Sequence, residues 1–219
     1  MDIWNWPFAW EILPGLLHGL LVTFEATVLG SILAYVLGLL FAIIRRSRIP
    51  VLSQFVWLLV EFVRSTPLLV QLYFIYFVFP VVFHITLGSL LTGVIGLGLH
   101  YATYTAEVYR AGIDAVPRGQ WEAATALSLP RGRMWTAVIL PQAIPRVLPA
   151  LGNYMISMLK ETPLLLSIGV LELVGQAQAA GSEAYRYVEP YTMAGVFFLV
   201  LSYPASVLVR RLERRVRQQ

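Results

Sequence analysis

Five apolar stretches divide this chain, and charged residues gather almost only between them. The stretches cover about 16–44, 52–83, 87–109, 150–174 and 191–209. Each approaches or exceeds the length of about 20 apolar residues that a helix needs to cross roughly 30 Å of hydrocarbon. The chain therefore reads as an all-α integral membrane protein, a five-span helical bundle forming one transmembrane domain over residues 1–219, with a long polar loop over 110–149. Composition agrees, with 58% hydrophobic residues, 13% charged residues and a mean hydropathy of +0.71. Such a chain is too apolar for disorder, and without cysteine it has no disulfide scaffold.

The net charge of +4 invites a nucleic-acid reading, but the charges sit at the ends of apolar segments. Thirteen of the 16 basic residues fall in three places: Arg45 to Arg48, Arg110 to Arg146, and Arg210 to Arg217. Cytoplasmic loops collect Lys and Arg, so these places lie inside, the N-terminus outside and the C-terminus in the cytoplasm. The opposite side receives an uncharged loop near Pro80 and an acidic loop with Glu172, Glu183 and Glu189. The N-terminal MDIWNWPFAWE lacks the basic region of a signal peptide and reads as retained, with Trp4, Trp6, Phe8 and Trp10 as an interfacial aromatic anchor.

Several chemistries are excluded by what is missing. There is no phosphate-binding glycine loop, so the chain itself binds no nucleotide in the usual way. His18, His84 and His100 are scattered without a metal-binding spacing, and no serine, histidine and aspartate set assembles outside lipid depth. Gly15 and Gly19 form a GxxxG pair suited to close helix packing.

The polar loop carries an ordered pattern. Pro117 and Gly119 open a short helix over about 119–127, Glu122 sits in its first turn where the helix dipole favours an anion, and Pro130 forbids its continuation. Trp121, Ala124, Thr125 and Leu127 or Ser128 recur at helical spacing, and the small Ala123 and Ala124 permit close approach of a partner's groove.

Glu122-Ala123-Ala124, followed by Ser128, Val138, Leu140 and Pro141, resembles the EAA signature of ABC-importer permeases, with Ser128 in place of the usual glycine. A left-handed turn there costs serine about 1 kcal/mol. EFVRSTPLLVQL, AEVYRAGIDAVPRGQWEAA, VILPQAIPRVLPALGN and LKETPLL are similar to the polar amino-acid permease family, whose members have the MetI-like fold. GLHYATYTAEVYRAGI, YRYVEPYT and SYPASVLVRRLE most resemble a permease of the ectoine/hydroxyectoine importer. The resemblance implies a non-catalytic subunit in a bacterial inner membrane. It also implies a second permease, two cytoplasmic ATPase subunits that hold ATP and Mg, and an external solute-binding protein. The second permease is either a distinct relative, which the ectoine resemblance favours, or an identical copy. The ATPase-coupling set is then Gly119, Gln120, Trp121, Glu122, Ala123, Ala124, Leu127 and Ser128, with Glu122 meeting the ATPase.

Charges within the spans mark candidates for a solute path, because Arg64 and Lys160 would each cost at least about 2.5 kcal/mol facing lipid at mid-bilayer. Glu61 is placed to pair with Arg64 on one helix face; Glu161, adjacent to Lys160, needs another partner. Arg64-Ser65-Thr66-Pro67-Leu68-Leu69 and Lys160-Glu161-Thr162-Pro163-Leu164-Leu165 share a base, then x-Thr-Pro-Leu-Leu. Two proline breaks in matching contexts fit either the flanks of a translocation path or structural kinks with an ion-paired base. Glu107, near Arg110, is a helix-end ion pair or a gate; Gln71, Tyr101, Tyr104 and Asn153 offer hydrogen bonds and aromatic surface to a zwitterion. The function expected is an ATP-driven importer permease for a small zwitterionic solute, ectoine or a polar amino acid, by alternating access. The competing expectation is an ion-coupled secondary transporter using Glu61, Glu107 or Glu161.

Overall fold

A computed structural model describes residues 3–47 and 49–217; Arg48 of the first basic cluster and the side chain of Arg217 lie outside what is described. All regular structure in these residues is helical. The first helix, α1 (Trp6–Arg45), begins at Asn5, whose side chain accepts a hydrogen bond from Phe8 N, and Pro7 occupies its first turn. Of the expected aromatic anchor, Trp6, Phe8 and Trp10 lie in the first turns of α1 and Trp4 just precedes it. At 40 residues, α1 is about 60 Å long, twice the hydrocarbon thickness.

α1 inverts the usual amphipathic arrangement. Its buried stripe, Gly19, Thr23, Ala26, Gly30, Ala34 and Gly38, is small, while Leu17, Leu21, Ile32, Val36 and Leu39 are exposed. In water this pattern would be unstable. In lipid, the large side chains meet acyl chains while small residues let helices approach closely.

The apolar stretch expected over 52–83 is two helices, α2 (Pro50–Arg64) and α3 (Leu68–Phe83), that meet at 107°. Pro67 begins the new helix because it supplies no donor to continue the old one. A π-helical turn at Phe74–Val78 precedes Pro80 in α3, and another at Trp135–Ile139 precedes Pro141. Widening the turn shifts the carbonyls that a proline ring would otherwise strike.

α4 (Ser89–Asp114) occupies the centre, packed along α1 and touching α2, α3 and the sixth helix. Three helices are long and apolar enough to cross a membrane, Trp6–Arg45, Arg131–Ile168 and Val188–Val216, and the bent α2–α3 pair makes four; α4 is not among them. Its environment explains this: Thr92, His100, Tyr101, Thr103 and Thr105 are buried against protein, so α4 is screened from lipid and can be more polar.

The polar loop holds α5 (Arg118–Ala126), then α6 (Arg131–Ile168) starts about twenty residues before the apolar stretch expected at 150. Pro141, Pro145 and Pro149 recur every fourth residue on one face, and the helix continues through them. α6 ends in a tighter 3₁₀ run at Thr162–Ile168, stopped by Gly169 at φ 81°. α7 (Leu173–Ala184) and α8 (Val188–Arg217) follow. The expected acidic loop is therefore mostly helix. Glu172 and Glu189 are both fully buried: Glu172 caps α7 through Gly175 N at 2.8 Å, and Glu189 accepts from Asn5 N at 2.8 Å and pairs with Arg186.

Candidate functional site

Two regions concentrate the residues singled out in the sequence. The first lies inside the bundle where the two Thr-Pro-Leu-Leu segments meet. Thr66 Oγ1 donates to Val63 O at 3.1 Å and Thr162 Oγ1 donates to Leu159 O at 2.8 Å, so each threonine satisfies a carbonyl three residues back at its break. Beyond the prolines, Leu68, Leu72 and Leu165 pack together with Leu97, Met158 and Tyr101. The shared motif is thus a pair of matching helix breaks joined through their leucines.

Gln71 staples the first break. Its Nε2 donates to Val63 O at 2.6 Å and Thr66 Oγ1 at 2.8 Å, and its Oε1 is 3.2 Å from His100 Nδ1. An amide oxygen only accepts, so the imidazole proton sits on Nδ1. The Gln71 amide is therefore committed within the fold rather than left open to a solute.

Next to this staple, four rings form an aromatic cluster. Centroids lie 5.3 Å apart for His100 and Tyr104, 6.0 Å for Tyr101 and Tyr104, 6.0 Å for Tyr101 and Tyr154, and 5.6 Å for Tyr104 and Tyr154. The charge of Glu161 bears electrostatically on Tyr101, and that of Arg64 on Tyr154. Glu161 Oε2 is buried and has no hydrogen-bond partner. Arg64 Nη2 donates to Glu61 Oε2 at 2.8 Å and remains partly exposed. A basic group and a carboxylate with unused acceptor capacity thus lie within electrostatic range of one tyrosine cluster, a set of groups that suits both ends of a zwitterion.

Other expected path residues lie elsewhere. Asn153 and Lys160 share an α6 stripe about 100° round from Tyr154 and Glu161; Asn153 Nδ2 donates to Glu213 Oε1 at 3.1 Å on α8, and Lys160 is exposed with no ion pair among the described residues. Glu107 is the centre of an ionic network joining Arg45 and Arg110, with Asp114 joining Arg46 and Arg110, at the basic ends of α1 and α4. Tyr154 and His100 were not expected in the cluster. The signal was present: Tyr154, Met158 and Glu161 share one helical stripe at four- and three-residue spacing.

The second region is α5 at the basic end. Trp121 stacks edge-on against Trp135 at 5.3 Å, and both cover a small core of Ile113, Val116, Ile139 and Ala143. Ala124 is buried beneath α5, whereas Gly119, Gln120, Glu122, Ala123 and Leu127 are exposed. Of the two alanines, Ala124 grips the chain's own base and Ala123 faces outward. Gln142 Nε2 donates to Gln120 Oε1 at 3.3 Å. Ser128 takes the left-handed conformation, φ 52°, with Ser128 N donating to Thr125 O at 2.9 Å and Leu129 N to Ala124 O at 3.1 Å. These two bonds close the helix in the manner usually served by glycine.

Residues 26–218 match the family described as the inner-membrane component of binding-protein-dependent transport systems. The probable amino-acid ABC transporter permease y4tG of Sinorhizobium fredii is 46% identical over 93% of this chain and 87% of its own length. A crystal structure of an amino acid ABC transporter with histidines superimposes with a TM-score of 0.89 at 36% identity, covering 98% of this chain and 100% of that one. The methionine transporter MetNI shares the fold, with a TM-score of 0.73 at 20% identity over 97% and 99% of the two chains. This is a MetI-like permease fold, and its apolar helices fit a multi-pass protein of the inner membrane. With the match running over most of its length, the chain belongs to the inner-membrane permease components of binding-protein-dependent ABC transporters.

Proposed function

We propose that this permease carries a small zwitterion inward by alternating access, in a complex with a second permease, two ATPase subunits and an external binding protein. The basic ends of the helices face the cytoplasm, the N-terminus lies outside, and α4 is the fifth span, screened by its neighbours. The observation that carries the reading is α5: a short helix held to the bundle by Trp121 and Ala124 while Glu122 and Ala123 point outward. Such a helix transmits force in both directions, because its inner face is packed and its outer face is free for a groove. ATP with Mg is then bound and hydrolysed on the partner subunits, and this chain supplies no catalytic residue.

The solute lies against Tyr101, Tyr104 and Tyr154, its ammonium directed to Glu161 and its carboxylate to Arg64. Thr66, Gln71 and Thr162 shape the breaks behind it. Lys160, about 100° round α6 from Glu161 and exposed, is assigned to the contact with the second permease. A polar amino acid is the favoured cargo, because the relatives are named for amino acids; ectoine presents the same pair of charges. An ion-coupled mechanism has less support, since α5 would then have no task.

Reconstitution of the complete complex in proteoliposomes tests the proposal. Uptake should require ATP and the binding protein, and Glu122→Lys should abolish solute-stimulated ATP hydrolysis in complexes that still assemble. Uptake by the permease alone, driven by a proton or sodium gradient, would overturn the reading.

A further inference from the structure

A cavity of about 620 Å³ opens at the Arg-rich end of the bundle between α6 and α8, lined by none of the clustered tyrosines and by no residue of α5. Arg146, Arg210 and Arg214 line it with Pro149, Asn153 and Glu213. Asn153 Nδ2 holds Glu213 Oε1 at 3.1 Å, so the one carboxylate in the wall is engaged, and Arg146 is held in place by donating to Ala115 O. Three guanidinium groups against one carboxylate leave a cavity of net positive charge. None of the three arginines forms a salt bridge within the described residues.

The position along α8 decides what such a cavity meets. Arg210 and Arg214 are one turn apart at the end of a span, and Leu208 and Leu212 beside them are exposed. Guanidinium groups just past a lipid-facing apolar face lie at headgroup depth, where phosphate is the abundant anion and acyl chains run directly alongside. Arg matches phosphate oxygens with paired donors.

We infer that this cavity is a binding site for the phosphate headgroup of an anionic phospholipid, with the acyl chains laid along Leu208 and Leu212. The site is independent of the transport reading, since it needs only insertion in the membrane. It holds α6 and α8 together from outside the protein, replacing a direct ion pair between the two helices by a lipid bridge.

Native mass spectrometry of the assembled complex, stripped in detergent and titrated with phosphatidylglycerol, cardiolipin or phosphatidylcholine, tests it. Wild type should retain the anionic lipids in preference to phosphatidylcholine. R210Q/R214Q should weaken that retention by about thirtyfold, as expected for two basic residues near a membrane surface. R211Q/R215Q removes the same charge from the same helix outside the cavity and should leave most of the retention intact. Both doubles are surface changes, and co-elution of all subunits checks that each assembles. Equal losses in the two doubles would show a diffuse field instead of a site. No preference for anionic lipid, or displacement of bound lipid by inorganic phosphate alone, would equally overturn the assignment.

Discussion

Ser128 shows how one residue can depart from a family pattern and keep the geometry. It holds φ 52° and closes α5 with the two hydrogen bonds that glycine would allow without strain. Ser128→Gly should therefore stabilise the end of α5 by about 1 kcal/mol, read as slower hydrogen exchange at Ser128 and Leu129; unchanged exchange would mean that the strain is relieved elsewhere. Gly19 makes the opposite point. A Cβ there would come within 2.9 Å of the backbone oxygen of Glu172, so only glycine lets α1 lie against the turn into α7. Gly19→Leu should lower the yield of folded protein in the membrane, measured by fluorescence size-exclusion profiles. Gly15→Ala, whose Cβ would meet only the Gln176 side chain at 3.7 Å, should not. The sequence pair GxxxG is thus legible as a packing motif, but which of its glycines matters depends on what α1 touches.

Among elements, the α2–α3 break and the 3₁₀ end of α6 are the parts most able to change shape, because each has given up regular helical bonding at a proline. Gln71 restrains the first. Gln71→Ala leaves His100 Nδ1 without a partner and takes one donor from the Val63 carbonyl, which keeps Thr66 Oγ1, at about 1–3 kcal/mol for the buried group left unpaired. The expected result is a lower melting temperature of the complex together with slower transport. A full transport rate with a lower melting temperature would limit Gln71 to stability. α5 behaves differently: its grip is aromatic, so Trp121→Ala should uncouple ATP hydrolysis from solute while leaving basal hydrolysis in place. Retained stimulation in that variant would place the linkage outside the Trp121–Trp135 contact. The existence of α5 was readable from Pro117, Gly119 and Pro130; its mooring was not, because Trp135 belongs to a stretch whose prolines read as loop.

At the scale of the molecule, the tyrosine cluster draws on α4 and α6, with Arg64 from the end of α2. Glu161→Gln should reduce uptake about tenfold or more, as for loss of a hydrogen bond to a charged group, with assembly unchanged. Arg64→Met should lower uptake in the same assay. Normal uptake in both variants would remove the cluster from the path. Lys160→Met, on the neighbouring stripe of α6, should change the complex's subunit ratio before it alters uptake, if the proposed contact with a second permease holds. Equal effects at Glu161 and Lys160 would argue that both faces line one cavity.

The order of apolar and basic segments, the short helix at the basic end and the two proline breaks were all determined by the sequence alone. Each rests on local rules: the thickness of the hydrocarbon, the donor that proline lacks and the spacing of residues along a helix. What only the tertiary structure decided is which polar residues meet. Asn153 and Tyr154 are neighbours in sequence yet face different helices, and Glu172 and Glu189, expected in an outer loop, are buried as caps and clasps. A helix turns about 100° per residue, so adjacent side chains enter different environments, and some of the partners that satisfy them, Glu213 for Asn153 and Asn5 for Glu189, come from distant segments.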